Sequence, residues 1–274
     1  MKTIDRKSAG EAAPGDVPER AKDRQYVTAL ARGLTILRCF TRATPVLGSA
    51  EIARMTGLPQ PTVWRLCYTL ISEGYLVQDG RADKLRPGIP VLSLGYAAIA
   101  GTPIAELARD EMQAIALRHQ GAVSLGTRDG LNMVYLQRCQ GSAIVLRDLD
   151  IGSRVPLATS VTGWAHMAGL SDLARETLFD ELSRAESARW PDLLPKIRKA
   201  LGDFATTGHV INKGSLHAQI NAVGVPILSD DGTVLLALSS GGISQVFDDD
   251  KLKAIGEELK QLADRLRPAL ATRA

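Results

Sequence analysis

Cysteine and aromatic side chains are scarce in this chain of 274 residues: there are 3 cysteines, and Phe, Trp and Tyr together make up 4 %. Cys39, Cys67 and Cys139 are widely spaced, and the first two fall in apolar helical stretches. An odd number at such spacing argues against disulfides and metal ligands and for buried small hydrophobes in a reducing compartment. Long apolar runs are missing as well. Nothing approaches the ~18 uninterrupted apolar residues of a membrane helix, so no membrane partner is expected. Met1 to Arg24 is polar, rich in Pro, Gly, Ala and charge, and lacks the apolar middle of a signal peptide. The expectation is a cytoplasmic protein whose residues 1–24 form a disordered tail.

The familiar catalytic signatures are absent too. The chain holds no Gly-x-Ser-x-Gly elbow, no His-Glu-x-x-His helix, no Walker-type phosphate loop and no Gly-x-Gly-x-x-Gly turn. His119, His209 and His217 have no metal-ligand spacing with one another or with the cysteines. No acid, base and nucleophile stand out as a set. No catalytic residue, metal site or cofactor is therefore assigned.

A length of 274 residues is long for one domain and comfortable for two. The formal net charge is only +3, but residues 25–95 carry eight Lys/Arg against four Asp/Glu, and residues 96–274 carry nineteen against twenty-one. A basic head on a mildly acidic body suits a DNA-binding module joined to a domain that handles something else.

The stretch from Gly48 to Leu76 reads as two short helices and a tight turn. Ser49 is placed to cap the first, with Ile52, Ala53 and Met55 on its apolar side, and Gly57 stops it. The second starts at Pro61, where a missing N–H does no harm, and Val63, Leu66, Cys67 and Leu70 repeat at helical spacing to form its core face. Left outward are Gln60, Thr62, Trp64, Arg65, Tyr68 and Thr69, with no acid until Glu73. Such a face suits a helix that enters the major groove, although a helical hairpin with a solvated polar face has the same pattern.

Around this pair, Tyr26 to Thr41 reads as a helix with Leu30, Leu34, Leu37 and Arg38 or Cys39 turning round its core face, and with Arg32 and Arg38 then outward. Ala43 to Gly48 reads as a loop. Tyr75 to Gln78 and Lys84 to Gly88 make a hairpin through Asp79-Gly80, a wing whose Arg81, Lys84 and Arg86 can meet phosphate, weakened by Asp79 and Asp83. Ile89 to Ala100 is apolar and broken at Gly95, and Ile104 to His119 reads as a connector helix. Beyond it come expected strands over Ala122–Thr127, Met133–Arg138 and Ser142–Leu149, then helices over Ser160–Gly169, Ser171–Leu182 and Asp192–Thr207. Strands over His209–Asn212, Ile220–Leu228 and Val234–Ser240 and a closing helix from Asp248 to Leu266 complete the order. That order predicts an α+β domain with one central sheet.

Several blocks are more specific than periodicity. Ala29 to Leu37, Ala50 to Ala53, Thr56 to Pro59, Pro61 to Leu66 and Glu73 to Leu76 resemble the DNA-binding domain of the IclR family of bacterial transcriptional regulators. The similarity continues through Gly152 to Leu157, Gly163, Ala165, Val223, Pro226 and Ala237 to Ser239. The resemblance implies an α+β chain: a disordered tail at 1–24, a winged helix-turn-helix domain at 25–95, a linker helix at 96–120 and a GAF-like effector-binding domain at 121–274. It also implies homodimers, often paired into tetramers, on partly palindromic double-stranded operator DNA, with RNA polymerase as a further partner. DNA contacts are assigned to Gln60, Thr62, Trp64, Arg65 and Tyr68, with Ser49, Arg32, Arg81, Lys84 and Arg86 beside them.

Carried over in the same way, the effector positions are Ile144, Arg147, Val155, Val161, Thr162, Asn212, Ala222, Ser239 and Gly241. In family members that sense small keto acids, an acid is common where Asn212 stands, a Cys where Ala222 stands and a Ser where Gly241 stands. Those departures imply a roomier, less polar site for a larger aromatic or branched organic acid. Arg147 is the candidate partner for its carboxylate if it faces inward, the outer face of the sheet being the other place for it. The implied function is a ligand-responsive repressor or activator. A DNA-binding protein with a purely oligomerising body, or a hydrolase or transferase with an accessory domain, are the alternatives.

Overall fold

The computed structural model describes residues 25–80, 83–101, 103–141, 149–229, 232 and 234–270. Contacts between residues divide the chain into two compact units at the Gly101/Thr102 bond. The tail at 1–24 and the expected strand over Ser142–Leu149, apart from Leu149, lie outside the described residues.

The first unit carries helices α1 (Thr28–Arg38), α2 (Ser49–Thr56) and α3 (Gln60–Ser72) and a three-stranded antiparallel sheet in the order β1 (Leu47–Gly48), β3 (Lys84–Pro87), β2 (Leu76–Gln78). Its core is small: Ile36, Cys39, Leu47, Ile52, Val63, Cys67, Leu76 and Leu85. Val63 and Cys67 anchor α3 as their spacing predicts, with Leu66 and Leu70 partly buried beside them. Gly57 ends α2 in the left-handed region at φ 67°, a conformation that favours glycine.

Several expectations are corrected here. Leu30 and Leu34 are 62 % and 52 % exposed, because Ile36 and Cys39 form the buried face of α1. Met55 is exposed, and only Ser49 and Ile52 of α2 are buried. The cap of α2 is Gly48, whose N–H donates to the Glu51 carboxylate at 2.7 Å; Ser49 is already inside the helix. Leu47–Gly48, read as loop, pairs with Leu85 and Lys84 as a third strand. Ile89 to Ala100 forms one unbroken helix, α4, with no buried residue. The connector expected over Ile104–His119 is instead α5 (Ile104–Leu107) and α6 (Arg109–His119), whose Ile104, Ala105, Met112, Ile115 and Ala116 belong to the core of the second unit.

The second unit is built on a six-stranded antiparallel sheet in the order β6 (Arg154–Pro156), β5 (Asn132–Gln140), β4 (Ala122–Asp129), β9 (Val234–Ile243), β8 (Ile220–Leu228), β7 (Val210–Lys213). Edge strand β6 was not expected. One face packs on α5, α6 and the amphipathic α10 (Asp249–Leu266) through Val123, Leu125, Val223, Val225, Leu236 and Leu238. Asp248 caps α10, its carboxylate accepting the Lys251 N–H at 2.9 Å, and Asp249 and Asp250 complement the helix dipole. The other face carries α7 (Val161–Gly169), α8 (Asp172–Ala185) and α9 (Trp190–Thr207). Helix α7 lies close on the sheet because its neighbours lack bulk. A Cβ on Gly163 would stand 2.1 Å from the Leu157 carbonyl oxygen, and one on Gly224 3.1 Å from that of Val161.

Gly163→Ala should therefore destabilise the protein by about 3 kcal/mol or more, since backbone meets backbone and neither side can yield. Gly202→Ala, in α9 with nothing within 4 Å of the added methyl, should stabilise it by about 0.5–1 kcal/mol. Urea unfolding of the two variants beside the parent checks both signs.

Candidate functional site

The outward face of α3 presents Gln60, Trp64, Arg65 and Tyr68 to solvent, with Thr62 half-buried. Trp64 and Tyr68, one turn apart, stack with ring centroids 5.8 Å apart and planes 22° from parallel. Arg32 is exposed on α1. The wing cations are more constrained than their sequence suggests. Lys84 Nζ stands 2.7 Å from Glu51 Oε2, and Arg86 Nε 3.5 Å from Asp79 Oδ1. Lys84, and after it the Gly48 N–H, hold the Glu51 carboxyl below its usual range. Ser49 is turned inward, 6 % exposed, and its hydroxyl donates to Asp83 Oδ1 at 3.0 Å. That bond ties the start of α2 to the base of the wing and keeps the hydroxyl away from a groove. Arg81 lies outside the described residues.

The second unit holds a cleft at the N-terminal end of α7. Two rows of cross-strand partners underlie it: Arg138, Ser124, Ser239 and Gly224 on β5, β4, β9 and β8, and Ala122, Gly241, Ala222 and Asn212 on β4, β9, β8 and β7. Ser160 and Val161 close one side, and Leu149, Leu216 and Ile220 give it an apolar wall. The cleft leaves about 50 Å³ for the centre of a water-sized sphere. At roughly 10–15 Å³ per water that is room for a few waters or one small organic molecule.

Arg138 is the one charged side chain among the described lining residues. Its Nη1 donates to Ser124 Oγ at 2.9 Å, and the guanidinium carbon lies 5.7 Å from the centre of the Tyr135 ring. Nε and Nη2 are buried with no acceptor among the described residues. Burial draws the Arg138 pKa below its usual value, opposed by Tyr135 and Asp150, yet a guanidinium stays charged at neutral pH. Burial also raises the Tyr135 phenol, against the pull of Arg138 and of hydrogen bonds with Thr162 and Ser124. Ser160 caps α7 by accepting the Gly163 N–H, so the positive end of a helix dipole belongs to the same wall. A half-buried cation with two buried donors that meet no acceptor among the described residues, beside a helix N-terminus, suits one kind of ligand group, an anion with two acceptor oxygens.

Of the effector residues expected, Val161, Asn212, Ala222, Ser239 and Gly241 line this cleft. Asn212 is a wall rather than a free donor: its Nδ2 donates to the Thr159 carbonyl at 2.9 Å and its Oδ1 accepts the Ser215 N–H at 3.1 Å. Thr162 is fully buried and shares a 2.9 Å hydrogen bond with Ser239. Val155 sits in the core that includes α7 and is not among the residues lining this cleft. Ile144 and Arg147 lie outside the described residues. Arg138 and Tyr135 were missed. Strict alternation along β5 puts Arg138 on the face opposite Tyr135, but Leu125 pairs with Gln137 and Gly126 with Tyr135, so Leu136 is an extra residue. That bulge turns Gln137 toward the Ala105 carbonyl and Arg138 into the cleft.

A winged helix-turn-helix with an acid-free reading helix, followed by an α+β domain with a ligand-sized cleft, defines a DNA-binding transcriptional regulator. The profile of the IclR helix-turn-helix domain matches residues 29–80, and that of the C-terminal domain of the bacterial transcriptional regulator IclR matches 96–267. The chain belongs to the IclR family of bacterial transcriptional regulators. It is 29 % identical over 244 residues to the HTH-type transcriptional regulator TsaQ1/TsaQ2 of Comamonas testosteroni, covering 88 % of this chain and 87 % of that one. A crystal structure of an IclR family transcriptional regulator from Brucella abortus superposes with a TM-score of 0.82 at 37 % identity, over 93 % of this chain and 96 % of the other. An IclR homolog from Microbacterium hydrocarbonoxydans, crystallised with 4-hydroxybenzoate, shares the fold at a TM-score of 0.68 and 21 % identity, over 89 % and 99 %.

His166, on α7, is 6 % exposed, and neither ring nitrogen has a partner among the described residues. Burial first, and the Arg128 charge second, pull its pKa down to about 4. The folded protein keeps this imidazole neutral to about pH 4, while the unfolded chain binds the proton near pH 6.5. Stability therefore falls as pH drops through that window, by about 2 kcal/mol between pH 7 and pH 5 from this group alone. Urea unfolding of the parent and of His166→Leu at both pH values should show a smaller loss in the variant.

Proposed function

We propose that this regulator responds to a small organic carboxylate bound in the cleft, with the carboxylate bridging Nε and Nη2 of Arg138. The observation that carries the reading is the half-buried Arg138, whose buried Nε and Nη2 meet no acceptor among the described residues. Leu149, Leu216, Ile220 and Ala222 would hold the apolar body, and the small residues at 222 and 241 leave space for a ring or a branched chain. The 4-hydroxybenzoate bound by the homolog from Microbacterium hydrocarbonoxydans is a ligand of this chemical kind. Arg138 thereby takes the role that the sequence reading gave to Arg147.

The reading unit acts as a pair. Val27, Leu30 and Leu34 on or beside α1, and Ile89, Leu92, Leu94, Tyr96 and Ile99 on α4, are exposed apolar side chains of one unit. A second copy is the occupant that would cover these side chains in a homodimer, placing two recognition helices on a partly palindromic operator with half-sites about one turn apart. Effector binding then changes operator affinity by its differential affinity for the two states of the dimer, in the direction of repression or of activation.

Thermal shift of the full-length protein against a panel of mono-aromatic and branched carboxylates, each beside its uncharged amide, tests the reading. Carboxylates should raise Tm and amides should not. Arg138→Gln should lose the response by tenfold or more in affinity, about 1.5–3 kcal/mol, while its Tm without ligand stays level or rises. An Arg138→Gln protein that responds like the parent would exclude the clamp.

A further inference from the structure

We infer that the stacked pair Trp64 and Tyr68 reads the 5-methyl groups of two adjacent thymines in the major groove. This rests on α3 being the reading helix of the DNA-binding domain. Trp64 is 61 % and Tyr68 62 % exposed, and neither belongs to the core of its unit. Two large rings left in water on the outward face of one helix mark a contact surface, since isolated exposed aromatics need no stacking partner. The partner follows from the setting. Helix α3 has no acidic residue from Gln60 to Ser72, and Arg65 projects between the rings in sequence, so the surface is built to meet a polyanion.

The major groove offers hydrogen-bonding edges on every base pair and only one apolar group, the thymine methyl. Gln60 and Arg65 serve the edges. Neighbouring base pairs lie one step of ~3.4 Å apart along the axis, and two rings with centroids 5.8 Å apart reach across that step, so each ring can meet the methyl of one of two neighbouring A·T pairs. Stacking at i, i+4 also fixes both rings before binding, which lowers the ordering cost of the contact.

The experiment selects duplexes from a random library with the full-length protein, then replaces each thymine of the selected site with deoxyuridine, which removes only the methyl. Removal at two adjacent positions per half-site should lower affinity roughly three- to fivefold each, the worth of about one buried methyl. In Trp64→Ala and in Tyr68→Ala one of the two replacements, that facing the missing ring, should cost nothing further, in the double variant neither should, and Tm should stay as in the parent. The inference is overturned if deoxyuridine is tolerated everywhere, or if its penalty survives in the double variant. It is equally overturned if the variants lose affinity for selected and random DNA alike, which marks a backbone contact. A selection that returns no common sequence would instead remove the sequence-reading role of the helix itself.

Discussion

One extra residue in strand β5 decides where the charge of Arg138 stands in the second unit. Without the bulge at Leu136, the pleat would carry Arg138 to the face covered by α6 and α10, where a charge would need a partner inside an apolar core. With it, the guanidinium lies beside Ser124 and Tyr135 in the cleft, charged, with Nε and Nη2 meeting no acceptor among the described residues. The remaining features of the site are ordered around that charge. The neutral wall of Ala122, Gly241 and Ala222 offers it no competing anion, and the seating of α7 on Gly163 brings a helix N-terminus alongside.

A cation whose buried donors meet no acceptor among the described residues is a poor way to hold a protein together. The second unit tolerates it because the rest of the sheet is covered on both faces by apolar helices, so the fold does not depend on the cleft. The reading unit follows another economy. Its core holds eight buried residues, and Leu30 and Leu34 on α1 and Ile89, Leu92, Leu94, Tyr96 and Ile99 on α4 are exposed. In the proposed homodimer, association would add stability to so small a unit and would couple its folding to the pairing proposed for operator recognition.

Much of this was legible in the sequence, for identifiable reasons. The recognition helix announces itself because Val63 and Cys67 repeat at helical spacing and Gly57 supplies a left-handed stop, both local features. Strand β8 and helix α10 are legible for the same kind of reason. The misreadings all come from interactions that span the chain. Helical spacing alone cannot say which face of α1 is covered, and Ile36 rather than Leu30 and Leu34 meets the core. Ser49 looks like a cap until Asp83, 34 residues later, claims its hydroxyl. Asn212 looks like a ligand donor until the Thr159 carbonyl, 53 residues away, accepts from its amide. Alternation along β5 hides the bulge, because nothing in the composition around Leu136 marks an unpaired residue.

The central claim is that Arg138 is completed by the effector rather than by the protein. A crystal structure of the full-length chain with the organic acid that stabilises it most tests this directly. The account predicts a carboxylate bridging Nε and Nη2 of Arg138 against Ser124 and the N-terminal turn of α7. An acid bound elsewhere, with Arg138 paired to Asp150 or another protein carboxylate, would contradict it.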